Sequence, residues 1–287
     1  MECKDFVKNT TFNSYIENIF HISQYCINNK LITFYGEYHT LTHVSRGLVY
    51  YKPLSNFVVE KLQENKNSKI LLEFGPYTST PDKIGSSNIN MIYNKITELA
   101  LNDRIIPFDF RFNCIDINEY FYYILFPNPH FEKLPFEFID ERFLQPFFLK
   151  EELFNEKLKP EMYEDPNFLN FLENAYYKTI KGNLQSIYTD MMKRRDPRIT
   201  IEDLRFKTME DIRVAILNEW AKVADFFILS AIFEKNDVNE YNILLGDFHR
   251  KNLEDVFKEY KPIYSSSNGS IDGIYFHKDH YIKKLLE

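Results

Sequence analysis

Four short apolar runs, each stopped by glycine or by a polar cluster, constrain the fold of this chain more than any other feature. Residues 31–35 (Leu-Ile-Thr-Phe-Tyr) end at Gly36, and residues 70–72 (Ile-Leu-Leu) end at Glu73. Residues 105–108 (Ile-Ile-Pro-Phe) end at Asp109, and residues 242–245 (Asn-Ile-Leu-Leu) end at Gly246. Each run is too short for a stable helix and is bounded by turn signals, so each reads as a buried strand. Pro107 puts the third near an edge or a strand end. Helical patterns separate them, at 56–64, 91–101 and 116–126, and a short one at 252–260 follows the fourth. Strands alternating with helices argue for βαβ units. The fold class is therefore α/β: a mostly parallel β-sheet core flanked by helices, with a helical insertion in the middle of the chain.

That insertion is read from what the middle lacks. Residues 140–235 carry no strand pattern; helical periodicity covers 140–154, 167–195 and 201–233, broken at Pro166 and Pro197. The core domain takes residues 1–139 and 236–287, and the helical subdomain 140–235. At the start, Phe12, Tyr15, Ile16, Ile19, Ile22 and Cys26 recur at helical spacing, which predicts an amphipathic helix over 12–26. A further helical stretch is expected from about Leu41 up to Pro53. Near the end, turn residues at 265–269 precede a last strand at 273–276.

Composition excludes several functions. The 287 residues carry a net charge of −7, and a nucleic-acid binder normally shows a basic footprint. The densest basic cluster, Lys193-Arg194-Arg195, runs straight into Asp196 and reads as a helix end. No apolar stretch reaches the roughly 20 residues of a spanning helix, and the first residues have no signal-peptide core. Cys3, Cys26 and Cys114 are odd in number and widely spaced, which points to a reducing compartment. The expectation is a soluble, cytoplasmic protein with a small-molecule or peptide substrate, no nucleic acid and no membrane.

The residues that stop the strands carry chemistry. The first strand ends in Gly36-Glu37-Tyr38-His39, the second in Glu73, the third in Asp109-Phe110-Arg111, and the fourth in Gly246-Asp247-Phe248-His249-Arg250. In a parallel sheet these ends share one edge, where ligands bind. Singly, each has a plain structural reading: a helix cap, an Asp109–Arg111 ion pair, a surface histidine such as His43. Together they predict one site, since burying such groups without partners is costly. His21, His130, His277 and His280 lack this context and read as structural or exposed.

Two Gly-x-x-His motifs, Gly36–His39 and Gly246–His249, bracketing a strand-end Glu73 and an Asp-x-Arg at 109–111, resemble the superfamily of Tiki proteins, TraB/PrgY, ChaN-like haem-binding lipoproteins and erythromycin esterases. The resemblance implies a mostly parallel α/β core with a helical insertion. It maps Glu37, His39, Glu73, Arg111 and His249 onto the active-site positions. Members differ in chemistry: the Tiki proteins resemble metal-dependent proteases, the esterases open a lactone with a histidine base, and ChaN-like proteins bind haem. The esterases have one more residue between Glu and His in the first motif, and their arginine follows it on a helix, where Arg46 falls here.

A hydrolytic site needs a base for water, a positive charge or donors for the oxyanion, and a proton for the leaving group. His39 or His249 can be the base, Glu37 or Glu73 can orient it, and Arg111 can hold the oxyanion. The alternative is that His39, Glu73 and His249, with Asp247, hold a divalent metal such as Mn, Zn or Fe. The leading expectation is a hydrolase of an ester or peptide bond. A catalytically silent ligand- or metal-binding protein of the same fold, and an interaction protein working through its helical segment, are the other readings.

Overall fold

The computed structural model describes residues 14–16, 19–37, 51–74, 87–109, 151–194, 196–267 and 274–276. The chain divides into two compact units, residues 1–108 with 236–287, and residues 109–235.

The first unit contains all four predicted strands in a single sheet. Its strands are β2 (Ile19–Ile27), β3 (Lys30–Glu37), β5 (Ser68–Leu72), β6 (Ile105–Pro107), β7 (Glu240–Gly246) and β8 (Tyr264–Ser267), in the order β6-β5-β7-β3-β2-β8. The pairs β6–β5, β5–β7 and β7–β3 are parallel, and β2 runs antiparallel to both β3 and β8. The sheet is thus mixed and mostly parallel. β1 (Ser14–Ile16), β4 (Tyr51–Lys52) and β9 (Ile274–Phe276) form a separate three-stranded sheet, β4-β1-β9.

Helices cover both faces of the large sheet. Tyr35, Leu72 and Leu244 share a core with Phe57 and Val58 of α1 (Leu54–Glu64) and Ile92 and Ile96 of α2 (Ser87–Glu98). Side chains alternate along a strand, so Phe34 faces the other way. Its ring stacks on Phe257, 5.6 Å between centroids, just past the end of α7 (Asp247–Val256). Gly36 shares the parity of Phe34, and Glu37 that of Tyr35.

The helix expected over 12–26 is instead β1 and β2. The apolar spacing misleads because β2 is buried on both faces, every residue but Cys26. A strand covered on both sides loses its alternation, and a 3–4 spacing can then arise by chance. The local chemistry is that of a hairpin: Asn28 and Asn29 both have positive φ, 51° and 60°, as a two-residue turn between antiparallel strands requires. The turn expected at 265–269 likewise overlaps β8, which pairs with β2. Cys26 is exposed and disulfide-bonded, which the reading of a reducing compartment does not anticipate.

β7 passes into α7 without a loop, so this helix starts five residues earlier than the pattern at 252 suggests. Gly246 is the N-cap and Asp247 sits in the first turn, where a carboxylate favours the helix dipole.

The second unit is helical among its described residues, apart from one isolated bridge between Tyr163 and Glu234. α3 (Glu151–Lys157), α4 (Pro166–Phe171), a π-helical segment (Leu172–Tyr177), α5 (Lys178–Lys193) and α6 (Met209–Phe233) follow in order. Asp165 caps α4 by accepting from the Asn167 backbone N–H at 2.9 Å, and Pro166 follows at the first helical position. α6 begins at a capping box: Thr208 Oγ1 accepts from the Asp211 N–H and Asp211 Oδ2 from the Thr208 N–H. Trp220, Val223, Ala224, Phe226, Phe227 and Ile228 are all buried, so the second half of α6 is a core helix, whereas in its first half Asp211, Val214 and Asn218 are exposed. Among the described residues no helix is long and apolar enough to cross a membrane. The expected helix over 116–126, the stretch 41–50 and the start of 140–154 lie outside the described residues.

Candidate active site

Register fixes what shares the sheet edge. Glu37 pairs with Gly246, Leu72 with Pro107, and His21 with both Gly36 and Ser267. The C-terminal ends of the parallel strands therefore deliver Glu37, Glu73 and the start of α7 to one edge. The N-terminal part of β2 and the end of β8 lie along the same edge.

Two predicted site residues come together there. His249, in the first turn of α7, is buried, and its Nε2 lies 3.8 Å from Glu73 Oε1, one residue past β5. Glu37 is also buried, and its Oε2 accepts from Asn88 Nδ2 of α2 at 2.6 Å. Glu37 thus stands at the same edge with its partner on the α1–α2 side. Asp109 is buried two residues past β6. His39 and Arg111, with His43 and Arg46, lie outside the described residues.

Asp247 is held by cations. Its Oδ1 accepts from Arg250 Nε at 2.9 Å and from the Arg250 terminal nitrogen at 2.6 Å, and its Oδ2 is 2.5 Å from Lys251 Nζ. Burial pushes the carboxyl up, and the hydrogen bonds and charges of Lys251 and Arg250 outweigh it, leaving the group below the usual aspartate range. With both oxygens engaged, Asp247 is a poor metal ligand. Among the described residues no three His, Cys, Asp or Glu side chains gather to hold a metal.

A second cluster escaped the sequence reading. His21 Nδ1 lies 2.6 Å from Ser267 Oγ, and His21 Nε2 lies 2.8 Å from Glu254 Oε1. Ser23 Oγ donates to the same Glu254 oxygen at 2.5 Å, and Arg250 donates to the other. Burial raises the Glu254 carboxyl, but the hydrogen bonds from His21 and Ser23 and the charge of Arg250 help bring it below the ordinary glutamate value. The Arg250 stem and the Phe20 ring crowd Gly36: a Cβ there would come within 3.1 Å of Arg250 Cδ and 2.9 Å of Phe20 Cζ. Close approach, rather than a turn, is what Gly36 supplies.

His21 was missed because 12–26 reads as a helix, which detaches it from any strand end. The Asn28-Asn29 pair between two apolar runs was the available signal: a hairpin there would have placed His21 opposite Gly36. No family model matches the chain, and no curated protein or solved structure matches it either.

Proposed function

We propose that this protein is a hydrolase of an ester or peptide bond, acting at the C-terminal edge of its large sheet. The observation that carries the reading is the approach of His249 to Glu73, two side chains delivered by the ends of adjacent parallel strands, β7 and β5. An imidazole beside a carboxylate is the elementary unit of a general base: the carboxylate orients the ring and stabilises the imidazolium formed when water gives up its proton. In this reading His249 works with His39, one as base and the other as acid. Glu73 positions His249, and Arg111 stabilises the oxyanion. Glu37, two residues before His39 and anchored by Asn88, positions that histidine. The resemblance to the Tiki and erythromycin esterase superfamily supports the same assignment by motif.

The donor set fits a metal less well, because Asp247 is neutralised by Arg250 and Lys251. The test is a screen of the purified full chain against carboxylic esters, lactones and peptides, with and without a chelator. Turnover that survives the chelator is the expected result. Turnover abolished by the chelator and restored by Mn²⁺ or Zn²⁺ would transfer the role to a metal. Absence of turnover on every substrate class would overturn the proposal.

A further inference from the structure

A serine, a histidine and a glutamate are joined by hydrogen bonds at the far side of the same edge. Ser267 ends β8 and is exposed, its Oγ 2.6 Å from His21 Nδ1; His21 is buried, with Nε2 2.8 Å from Glu254 Oε1. We propose that Ser267 is the nucleophile of an acyl-transfer site for carboxylic esters, with His21 as its general base and Glu254 as the residue that positions the base. This goes beyond the His249–Glu73 chemistry and does not depend on it.

The hydrogen-bond pattern assigns the protons. Glu254 is contacted by three donors, His21, Ser23 and Arg250, and an ionised carboxylate only accepts. The proton of a neutral His21 must therefore sit on Nε2. Nδ1 then keeps its lone pair, and the Ser267 hydroxyl is left to donate to it. That is the logic of a serine–histidine–acid triad with the two ring nitrogens exchanged. Each member comes from a rigid element: the register of β2 with β8 fixes His21 against Ser267, and α7 fixes Glu254. The two serines of the cluster differ in a telling way. Ser23 is buried and spends its hydroxyl on Glu254, whereas Ser267 is exposed and open to a substrate.

The reaction balances without a co-reactant other than water. Ser267 Oγ bonds to the ester carbonyl carbon as its proton passes to His21 Nδ1. The bond from carbon to the alcohol oxygen then breaks, and Nδ1 returns the proton to the departing alcohol. Water next attacks the acyl carbon, giving its proton to Nδ1. The bond to Oγ breaks, and the proton returns to Ser267.

The experiment is labelling of the full chain with a fluorophosphonate, in which an activated serine oxygen displaces fluoride from phosphorus, followed by peptide mapping. The expected result is one adduct, on Ser267, absent in Ser267→Ala and formed at the wild-type rate in Ser265→Ala, an exposed neighbour on the same strand. His21→Ala should slow labelling on the order of a hundredfold, as loss of a general base does. Glu254→Gln, which keeps the shape of the side chain, should slow it as well. No adduct on Ser267, or an adduct formed equally fast in His21→Ala, overturns the proposal. Ser267→Ala removes one hydroxyl of an exposed residue and its hydrogen bond to His21, so the mapping stands even if His21→Ala fails to fold. Ester turnover that persists in Ser267→Ala and falls on adding His249→Ala belongs to the His249–Glu73 edge, which keeps the two readings apart.

Discussion

His21 and Glu254 are 233 residues apart in the chain and 2.8 Å apart in space, which ties β2 to α7, the helix that follows β7. Glu254 is ionised more readily folded than unfolded, so acid protonates the unfolded chain first. Its contribution to stability is complete above the ordinary glutamate value, about 4.3, and drains away as pH falls through the lower folded value. Denaturant unfolding of wild type and Glu254→Gln should show a stability gap that is constant near neutrality and shrinks below about pH 5. A gap independent of pH would argue against the ionised cluster.

Gly36 lies where the Phe20 ring and the Arg250 stem converge on β3. Gly36→Ala should cost about 1–3 kcal/mol, the usual range for overpacking, because the added methyl must displace one of them. The shift in denaturant midpoint measures this. An unchanged midpoint would mean that both neighbours yield freely.

In the helical unit, Asp190 is buried and accepts from the backbone N–H groups of Arg205 and Phe206, at 2.8 and 3.1 Å. Asp190→Ala removes the acceptor from both donors and should destabilise by about 1–3 kcal/mol. Thermal unfolding followed by the fluorescence of Trp220, in the same unit, reads the loss. A neutral effect would show that water replaces the carboxylate.

Tyr35 donates from its hydroxyl to Asn242 Oδ1 at 2.9 Å inside the sheet core, and burial pushes its phenol well above the usual range. Tyr35→Phe should cost about 1 kcal/mol, the net value of one such hydrogen bond plus an acceptor left behind. A denaturant midpoint equal to that of wild type would contradict this.

The legible part of this protein was the part with punctuation. The four parallel strands were visible because each short apolar run stops at Gly36, Glu73, Asp109 or Gly246, and all four lie in the one sheet. The closing strands were not. β2 is buried on both faces and shows no alternation, and β8 hides in a serine-rich stretch that reads as a turn. Missing them concealed His21 and Ser267 together, since each owes its place to the other's strand. Glu73 and His249 were readable because strand ends of a parallel sheet share an edge whatever the loops between them do. The partner of Glu37 was not, because Asn88 reaches it from a helix fifty-one residues on.

The most direct test of the proposed hydrolytic edge is the kcat/KM of Ser267→Ala, with and without His249→Ala, on one ester substrate, with circular dichroism confirming that both are folded. Adding His249→Ala should cost on the order of a hundredfold or more, carried by kcat. Glu73→Gln should give a smaller loss, since the carboxylate only positions the ring. Equal kcat/KM in Ser267→Ala and Ser267→Ala/His249→Ala would contradict a hydrolytic role for His249.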